Sequence, residues 1–111
     1  MATYSSAPAR LNLKAVKGDY FSVQFDFSIA LTGYSFEAKI LDQGDRTDVI
    51  VAFTVSNDDL STGKVSIVLT EVQSAALVVG IYHWYFAADP TIGGTARRTY
   101  LAGDFEVVEM L

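Results

Sequence analysis

The chain has one histidine, His83, and one is the minimum that a Ser-His-Asp arrangement requires. No cysteine is present, so a thiolate nucleophile and a Cys-based zinc site are both excluded. His83 lies between Tyr82 and Trp84 in a segment that predicts a strand, where it would face away from both aromatic rings. A lone histidine in such a place is more often a surface or interface residue than a catalytic base. We therefore predict that the protein is not an enzyme.

Oxygen-bearing side chains are concentrated in two polar segments. One contains Asp42, Asp45 and Asp48, and the other contains Asn57-Asp58-Asp59. Oxygen-rich loops can hold calcium, but neither segment has the spacing of an EF-hand loop. We expect these residues to be solvated turn residues, with calcium binding as the alternative, and we predict no cofactor.

The cations and glycines do not form a phosphate-binding motif. Gly93-Gly94 is followed by Arg97-Arg98, without a Lys-Ser or Lys-Thr pair or a helix start. The two arginines lead into a strand, where they would either protect a sheet edge or dock on an acidic neighbour. The net charge of −5 repels a phosphate backbone, so nucleic acid is not an expected partner.

Length and hydropathy bound the organisation of the chain. Its 111 residues, half of them hydrophobic, predict one soluble domain at 10–111 preceded by a flexible amino-terminal arm at 1–9. The start lacks a basic, apolar secretion signal. The longest stretch without Asp, Glu, Lys or Arg is 72–88, but Gln73, Ser74, Gly80 and His83 interrupt it. No membrane association is predicted.

The main secondary-structure signal is an alternation of apolar and polar residues. It is clearest at 20–29, where Phe21, Val23 and Phe25 alternate with polar residues. Gly18-Asp19 predicts a hairpin between the first two strands, and 56–63 predicts a loop. Gly103 predicts a bulge or the close approach of another backbone. The strands are predicted at 10–16, 20–29, 34–40, 49–55, 64–70, 82–89 and about 98–109.

One segment departs from this period. Thr70-Glu71-Val72-Gln73 predicts a capping box that starts one or two helical turns, which we expect to end at Gly80. Tyr82 then follows a helical turn near the start of a strand, as in the tyrosine corner of immunoglobulin-like domains. Trp84 takes the place of the core cysteine of antibody-type domains. Alternatively, both are ordinary core aromatics.

These elements predict an all-β fold, an immunoglobulin-like antiparallel β-sandwich of about seven strands with one short helical turn. Several strands, however, are apolar on both faces. Two groups of apolar residues lie on the face opposite the core: Ile81, Tyr85 and Ala87 oppose Tyr82, Trp84 and Phe86, and Ile50 and Ala52 oppose Val49, Val51 and Phe53. Either loops of the same chain cover these residues or another subunit does. The candidate interface residues are Tyr4, Pro8, Ile81, His83, Tyr85, Ala87, Arg97 and Arg98.

The order of short motifs resembles the amino-terminal domain of phage baseplate upper proteins and similar small phage tail and fibre-attachment proteins. The likeness covers nearly the whole chain. The motifs are Gly18-Asp19, Leu31-Thr32-Gly33-Tyr34-Ser35-Phe36, Gly63-Lys64-Val65, Gly80-Ile81-Tyr82-His83-Trp84 and Leu101-Ala102-Gly103-Asp104-Phe105-Glu106-Val107.

The resemblance implies a non-enzymatic virion protein that is assembled in the host cytoplasm. We expect a tail, baseplate or neck adaptor that attaches fibres or receptor-binding parts by protein–protein contacts. Its expected partners are other virion proteins, in a homo-oligomer or a symmetric assembly. Two alternatives are a capsid cement or decoration protein and a glycan-binding sandwich that uses Tyr4, Tyr85 or Tyr100.

Overall fold

The computed structural model describes residues 9–90 and 97–109. Within these ranges the chain forms nine β-strands and one short helix. In chain order the elements are β1 (Ala9–Arg10), β2 (Leu13–Val16), β3 (Phe21–Asp26), β4 (Ser35–Leu41), β5 (Val49–Ala52), β6 (Thr54–Asp59), β7 (Lys64–Leu69), α1 (Glu71–Ala75), β8 (Gly80–Asp89) and β9 (Arg98–Val108).

The strands form two sheets. The large sheet has the order β1-β9-β8-β4-β5, with β2 also paired to β9, and the small sheet has the order β3-β7-β6. All pairings are antiparallel except those of β1 and β2, which run parallel to β9. Ala9 pairs with Leu101, so the first strand begins within the predicted arm.

The hydrophobic core lies between the two sheets. The alternation predicted for β3 is observed, because Phe25 is buried while Gln24 and Asp26 are exposed. The ring of Phe25 stacks on that of Trp84 across the core, with centroids 6.0 Å apart. The other large, fully buried side chains include Phe86, Phe105, Ile40, Ile67 and Leu69.

The strand order identifies the fold. β1 and β2 lie beside β9 in the large sheet, and β3, β7 and β6 form the facing sheet. The Tyr82 hydroxyl donates a hydrogen bond to the main-chain oxygen of Val78 over 2.6 Å, which closes a tyrosine corner. Trp84 and Phe25 stack between the sheets, where antibody domains carry their disulfide. The chain is an immunoglobulin-like, all-β sandwich, as predicted.

The capping box is also confirmed. Thr70 Oγ1 accepts a hydrogen bond from the Gln73 main-chain nitrogen over 3.2 Å. Gln73 Oε1 accepts one from the Thr70 nitrogen over 3.0 Å. The prediction that Gly80 ends the helix is wrong, because the C-cap is Ala76 and Gly80 begins β8.

The hairpin predicted at Gly18-Asp19 is wrong. β2 and β3 lie in different sheets, since β2 pairs with β9 and β3 pairs with β7. The turn between them is tied to α1 instead, because Ser74 Oγ accepts from the Gly18 nitrogen over 3.0 Å and donates to the Val16 oxygen. Turn residues show where a chain reverses, but not which strands then pair.

The predicted strand at 49–55 divides at Phe53. Its first part, β5, belongs to the large sheet, and its second part, β6, belongs to the small sheet. Phe53 is buried, and its nitrogen donates to the Ala38 oxygen over 2.9 Å. β6 continues to Asp59, so the loop predicted at 56–63 is wrong over its first residues. The residues at 56–59 are polar because they are exposed on an edge strand.

Of the two alternatives predicted for Gly103, a bulge or the close approach of another backbone, the structure confirms the second. A Cβ at this position would lie 2.1 Å from the Leu11 oxygen. The register irregularity of β8 and β9 lies elsewhere, between Phe86 and Ala87.

Candidate interaction surface

Residues Ile81, His83 and Tyr85 lie on the outer face of β8, as predicted. In register they oppose Glu106, Asp104 and Ala102 of β9, respectively. The sheet therefore brings together three of the candidate interface residues in one row. Tyr4 and Pro8 lie outside the described residues.

Ile81 is the most exposed residue of this row. It is 54% exposed and borders a hollow that is also lined by Leu13 and Lys14. Lys14 forms an ion pair with Glu106, with 3.5 Å between Nζ and Oε1. An exposed apolar side chain thus lies inside a charged rim, an arrangement common in protein interfaces.

Tyr85 lies at the centre of a polar cluster, which we define as Glu37, Lys39, Tyr85 and Arg97. Glu37 accepts hydrogen bonds from the Tyr85 hydroxyl over 2.7 Å and from Arg97 Nε over 3.1 Å. Lys39 Nζ lies 2.8 Å from Glu37 Oε1. The Arg97 guanidinium lies over the Tyr85 ring, 5.4 Å from its centroid. The outer face of the large sheet is therefore covered here by groups of the same chain.

The polar cluster shifts the ionisation of its members. The hydrogen bond from Lys39, and then that from Tyr85, lower the pKa of Glu37 from 4.5 to about 2. Burial, and then the bond to Glu37, raise the pKa of the Tyr85 hydroxyl. Sequence reasoning missed Glu37 and Lys39. Their signal was the alternation of β4, which places both residues on its outer face.

The prediction of Ala87 as an accessible interface residue is wrong. It is only 1% exposed. Ala87 lies opposite Glu37 in register, and Glu37, Arg97 and Ala87 line one shallow hollow. Glu37 and Arg97, which form an ion pair, line the hollow beside this small side chain.

His83 borders a hollow with Arg46, Arg97 and Thr99. No side chain among residues 9–90 and 97–109 forms a hydrogen bond with its imidazole, so none of them orients it as a general base. Burial, and then the charge of Arg46, lower the pKa of His83. The imidazole is therefore largely neutral at pH 7. Sequence reasoning missed Arg46, which lies in a loop without a periodic pattern.

Arg98 and Tyr100 lie beyond the polar cluster. Arg98 is exposed, and its guanidinium lies 5.2 Å from the centroid of the Tyr100 ring. That ring also packs on Phe27, with centroids 5.7 Å apart. Tyr85 and Tyr100 are thus both engaged by their own chain rather than presented as an open stacking surface for a sugar.

Four of the exposed apolar residues lie close together in the sequence, from α1 to the start of β8. We define the corner patch as Val72, Val78, Val79 and Ile81, which are 80%, 72%, 42% and 54% exposed. They come from one short segment that runs from α1 into β8. Sequence reasoning identified only Ile81, because the three valines follow no strand alternation.

The two acidic segments, one in the loop before β5 and the other in β6, use their oxygens for hydrogen bonds within the chain. Asp42 Oδ2 accepts from the main-chain nitrogens of Gly44 and Asp45, over 3.0 and 2.8 Å. Bonds from the side chain and then the backbone of Thr47 lower the pKa of Asp45. Ser66 and then Gln24 lower that of Asp58 by hydrogen bonding. In the described part of the chain, His, Asp and Glu side chains form no group of three suited to a metal ion.

The described helix is too short to cross a membrane.

Comparison with known proteins extends the fold assignment. No protein-family model matches the chain, and no curated protein matches it in sequence. A family 123 glycoside hydrolase from Clostridium perfringens shares the fold, with a TM-score of 0.54 and 12% identity. The match covers 92% of this chain but only 23% of the hydrolase chain.

Two further solved structures are similar at a lower level. One is the IG1–IG1 heterodimer of ZIG-8 and RIG-5, with a TM-score of 0.46, 13% identity, and coverage of 97% of this chain and 90% of that chain. The other is a nucleoside hydrolase-related protein of Saccharophagus degradans, with a TM-score of 0.42, 16% identity and coverage of 90% and 23%.

Proposed function

We propose that the protein is a non-catalytic structural component of a phage particle. In this role it is an adaptor of the tail, baseplate or neck that attaches fibres or receptor-binding parts by protein–protein contacts. The observation that carries the binding role is the corner patch, whose four apolar side chains lie outside the core. The resemblance of the sequence motifs to phage baseplate proteins supports a phage particle as the place where this binding occurs.

The polar groups of the outer face support binding over catalysis. Glu37 accepts bonds from Lys39, Tyr85 and Arg97, and this pairing favours a carboxylate that stays ionised and occupied. A general acid or base needs a pKa near the working pH, and that of Glu37 is about 2. His83 has no orienting partner among the described residues. These groups instead suit a rigid, charged border to a contact surface.

The corner patch has the features that a binding surface requires. Val78 and Val79 precede β8 directly, and Val78 accepts the hydrogen bond from Tyr82, so its backbone is anchored to the sandwich. Burial of apolar surface contributes roughly 25 cal/mol per Å². The neighbouring Lys14–Glu106 ion pair at the rim would add specificity for one partner orientation.

A pull-down from purified tails, baseplates and capsids of the phage that carries the gene tests this proposal. We expect the tagged chain to retain a tail, baseplate or neck protein. Val78→Asp and Ile81→Asp, which place a charge on the corner patch, should abolish retention without lowering the thermal stability. Val49→Asp is the matched control, because it charges an exposed valine at the far edge of the large sheet and should have no effect.

Two results would count against this assignment. Equal retention by the wild type, Val78→Asp and Ile81→Asp would remove the corner patch as the binding surface. Retention of capsid proteins alone would move the protein from the tail to a decoration role on the capsid.

A further inference from the structure

The free edges of the two sheets differ in how well they are protected. β5 has only four residues and a register shift beside it, and the edge formed by β1 and β2 is interrupted at Leu11 and Asn12. β6 carries a register shift between Asn57 and Asp59. β3, in contrast, has six residues in unbroken register with β7, and it contains no proline, lysine or arginine. Exposed, regular edges are templates for pairing with another strand.

The hydrogen-bond pattern shows which groups of β3 are available. The Phe27 nitrogen donates to the Gly63 oxygen over 2.9 Å, so Phe27 and Gly63 are a hydrogen-bonded pair. Hydrogen-bonded and non-hydrogen-bonded pairs alternate along an antiparallel ladder. Phe25–Val65, and every second pair from there along β3, is therefore hydrogen-bonded as well. The main-chain N–H and C=O groups of Ser22, Gln24 and Asp26 consequently point away from β7. Among the described strands, only β7 pairs with β3.

We propose that β3 pairs with β3 of a second copy of this chain, antiparallel, about a two-fold axis at Gln24. The two small sheets then form one continuous six-stranded sheet. In this register Gln24 lies opposite Gln24, and Ser22 lies opposite Asp26 on both sides of the axis. Every outward-facing donor and acceptor of the three residues is paired, and the interface is isologous, as closed two-fold dimers require.

The side chains of β3 are self-complementary in this register. Asp26, its only charged residue, lies opposite Ser22 rather than opposite a second aspartate. Like charges directly opposite each other destabilise a strand pair, and this register avoids them. On the inner face, Phe21 and Val23 are only partly buried. A second β3 would cover the flank of these side chains.

The surroundings of β3 fit a second copy as well. Tyr20 is 60% exposed at one end of the strand, and Ile29 is 47% exposed beyond the other end. A hollow of about 420 Å³ lies beside Ile29 and is lined by Asp26, Ser28 and Lys64 among others. The proposed register places Tyr20 of one copy near Ser28 of the other, beside this hollow. Both exposed apolar side chains would thus be covered in the dimer.

The test is the oligomeric state of the chain in sedimentation equilibrium. The wild type should dimerise, and Gln24→Pro should weaken the dimer by roughly tenfold or more because it removes one edge donor from each copy. Proline at 24 breaks no bond to β7. Gln24→Thr is the matched control, since it also loses the Gln24 Nε2 bond to Asp58 but keeps the main-chain donor. It should dimerise like the wild type.

A charge-pair experiment tests the register. Gln24→Lys and Gln24→Glu each place two like charges opposite each other at the axis, so each variant alone should dimerise several-fold more weakly. Mixed in equal amounts, they should form a heterodimer that is tighter than either homodimer. Circular dichroism establishes that each variant is folded.

Three results would overturn the proposal. They are a wild type that is monomeric at its highest soluble concentration, a dimer that Gln24→Pro leaves intact, and a mixture of the charged variants that does not associate. In a monomer, protection of the Gln24 amide from hydrogen exchange would place another segment of the chain on β3. The proposal is independent of the adaptor role, because capture of virion proteins by the corner patch can succeed or fail in either oligomeric state.

Discussion

The indole Nε1 of Trp84 donates a hydrogen bond to the main-chain oxygen of Leu11, 2.8 Å away. This bond depends on the interruption between β1 and β2, where the ladder with β9 is broken. Asn12 Oδ1 accepts from the Asp104 nitrogen over 3.0 Å and so replaces a main-chain bond of the ladder. Gly103 has no side chain to block the Leu11 carbonyl. The buried indole is thereby satisfied at the edge of the core.

Replacing Trp84 tests this bond. Trp84→Phe leaves the Leu11 carbonyl without its donor and leaves part of the indole volume empty. We expect the free energy of unfolding to fall by about 2–4 kcal/mol. Because Trp84 is the only tryptophan, urea unfolding should be followed by far-UV circular dichroism rather than by fluorescence. A loss within the error of the wild-type value would show that the bond contributes nothing.

Gly103→Ala should be destabilising for a steric reason. The added Cβ would lie 2.1 Å from the Leu11 oxygen, so the first strand must move away from β9. We expect a loss of about 1–3 kcal/mol in chemical denaturation. Gly44→Ala is the control, because its Cβ would make an ordinary 3.4 Å contact with Asp42. Equal stabilities of the two variants would contradict the close approach.

Loss of the hydrogen bond in the tyrosine corner should lower the stability by less than the substitutions of Trp84 and Gly103. Tyr82→Phe removes the hydroxyl that donates to the Val78 oxygen over 2.6 Å. The free energy of unfolding should fall by about 0.5–1.5 kcal/mol. Tyr20→Phe removes a hydroxyl that donates to no described residue, on an exposed side chain, and should leave the stability of the monomer unchanged. If both variants match the wild type, the corner does not stabilise the fold.

Glu37 should make the stability of the folded chain depend on pH. Its pKa is lowered from 4.5 to about 2 in the folded chain, so the unfolded chain binds a proton first as the pH falls. The stabilisation by ionised Glu37 is complete above pH 4.5 and is lost as the pH falls towards 2. In Glu37→Gln, the loss of stability across this interval should be smaller than in the wild type. Because Glu37 is partly exposed, added salt should reduce the difference.

Urea titrations at several pH values between these limits provide the measurement. Parallel profiles for the wild type and Glu37→Gln would mean that other carboxylates account for the whole acid response.

The candidate surface was only partly predictable from the sequence. The alternation of β8 placed Ile81, His83 and Tyr85 on one outer face, because side chains of a strand alternate with a period of two. The burial of Ala87 was not predictable. Glu37 and Arg97, which line the hollow beside Ala87, lie 60 positions apart in the sequence, so no local pattern brings them together.

By itself the sequence determined the local structure. Its alternation specified most of the strands, and the Thr70–Gln73 spacing specified the cap of α1. Only the tertiary structure decided which strands pair. β2 joins β9 rather than β3, and one apolar run divides between the two sheets at Phe53. The reason is that periodicity depends on residues a few positions apart, whereas pairing is decided by contacts between distant segments that bury one shared core.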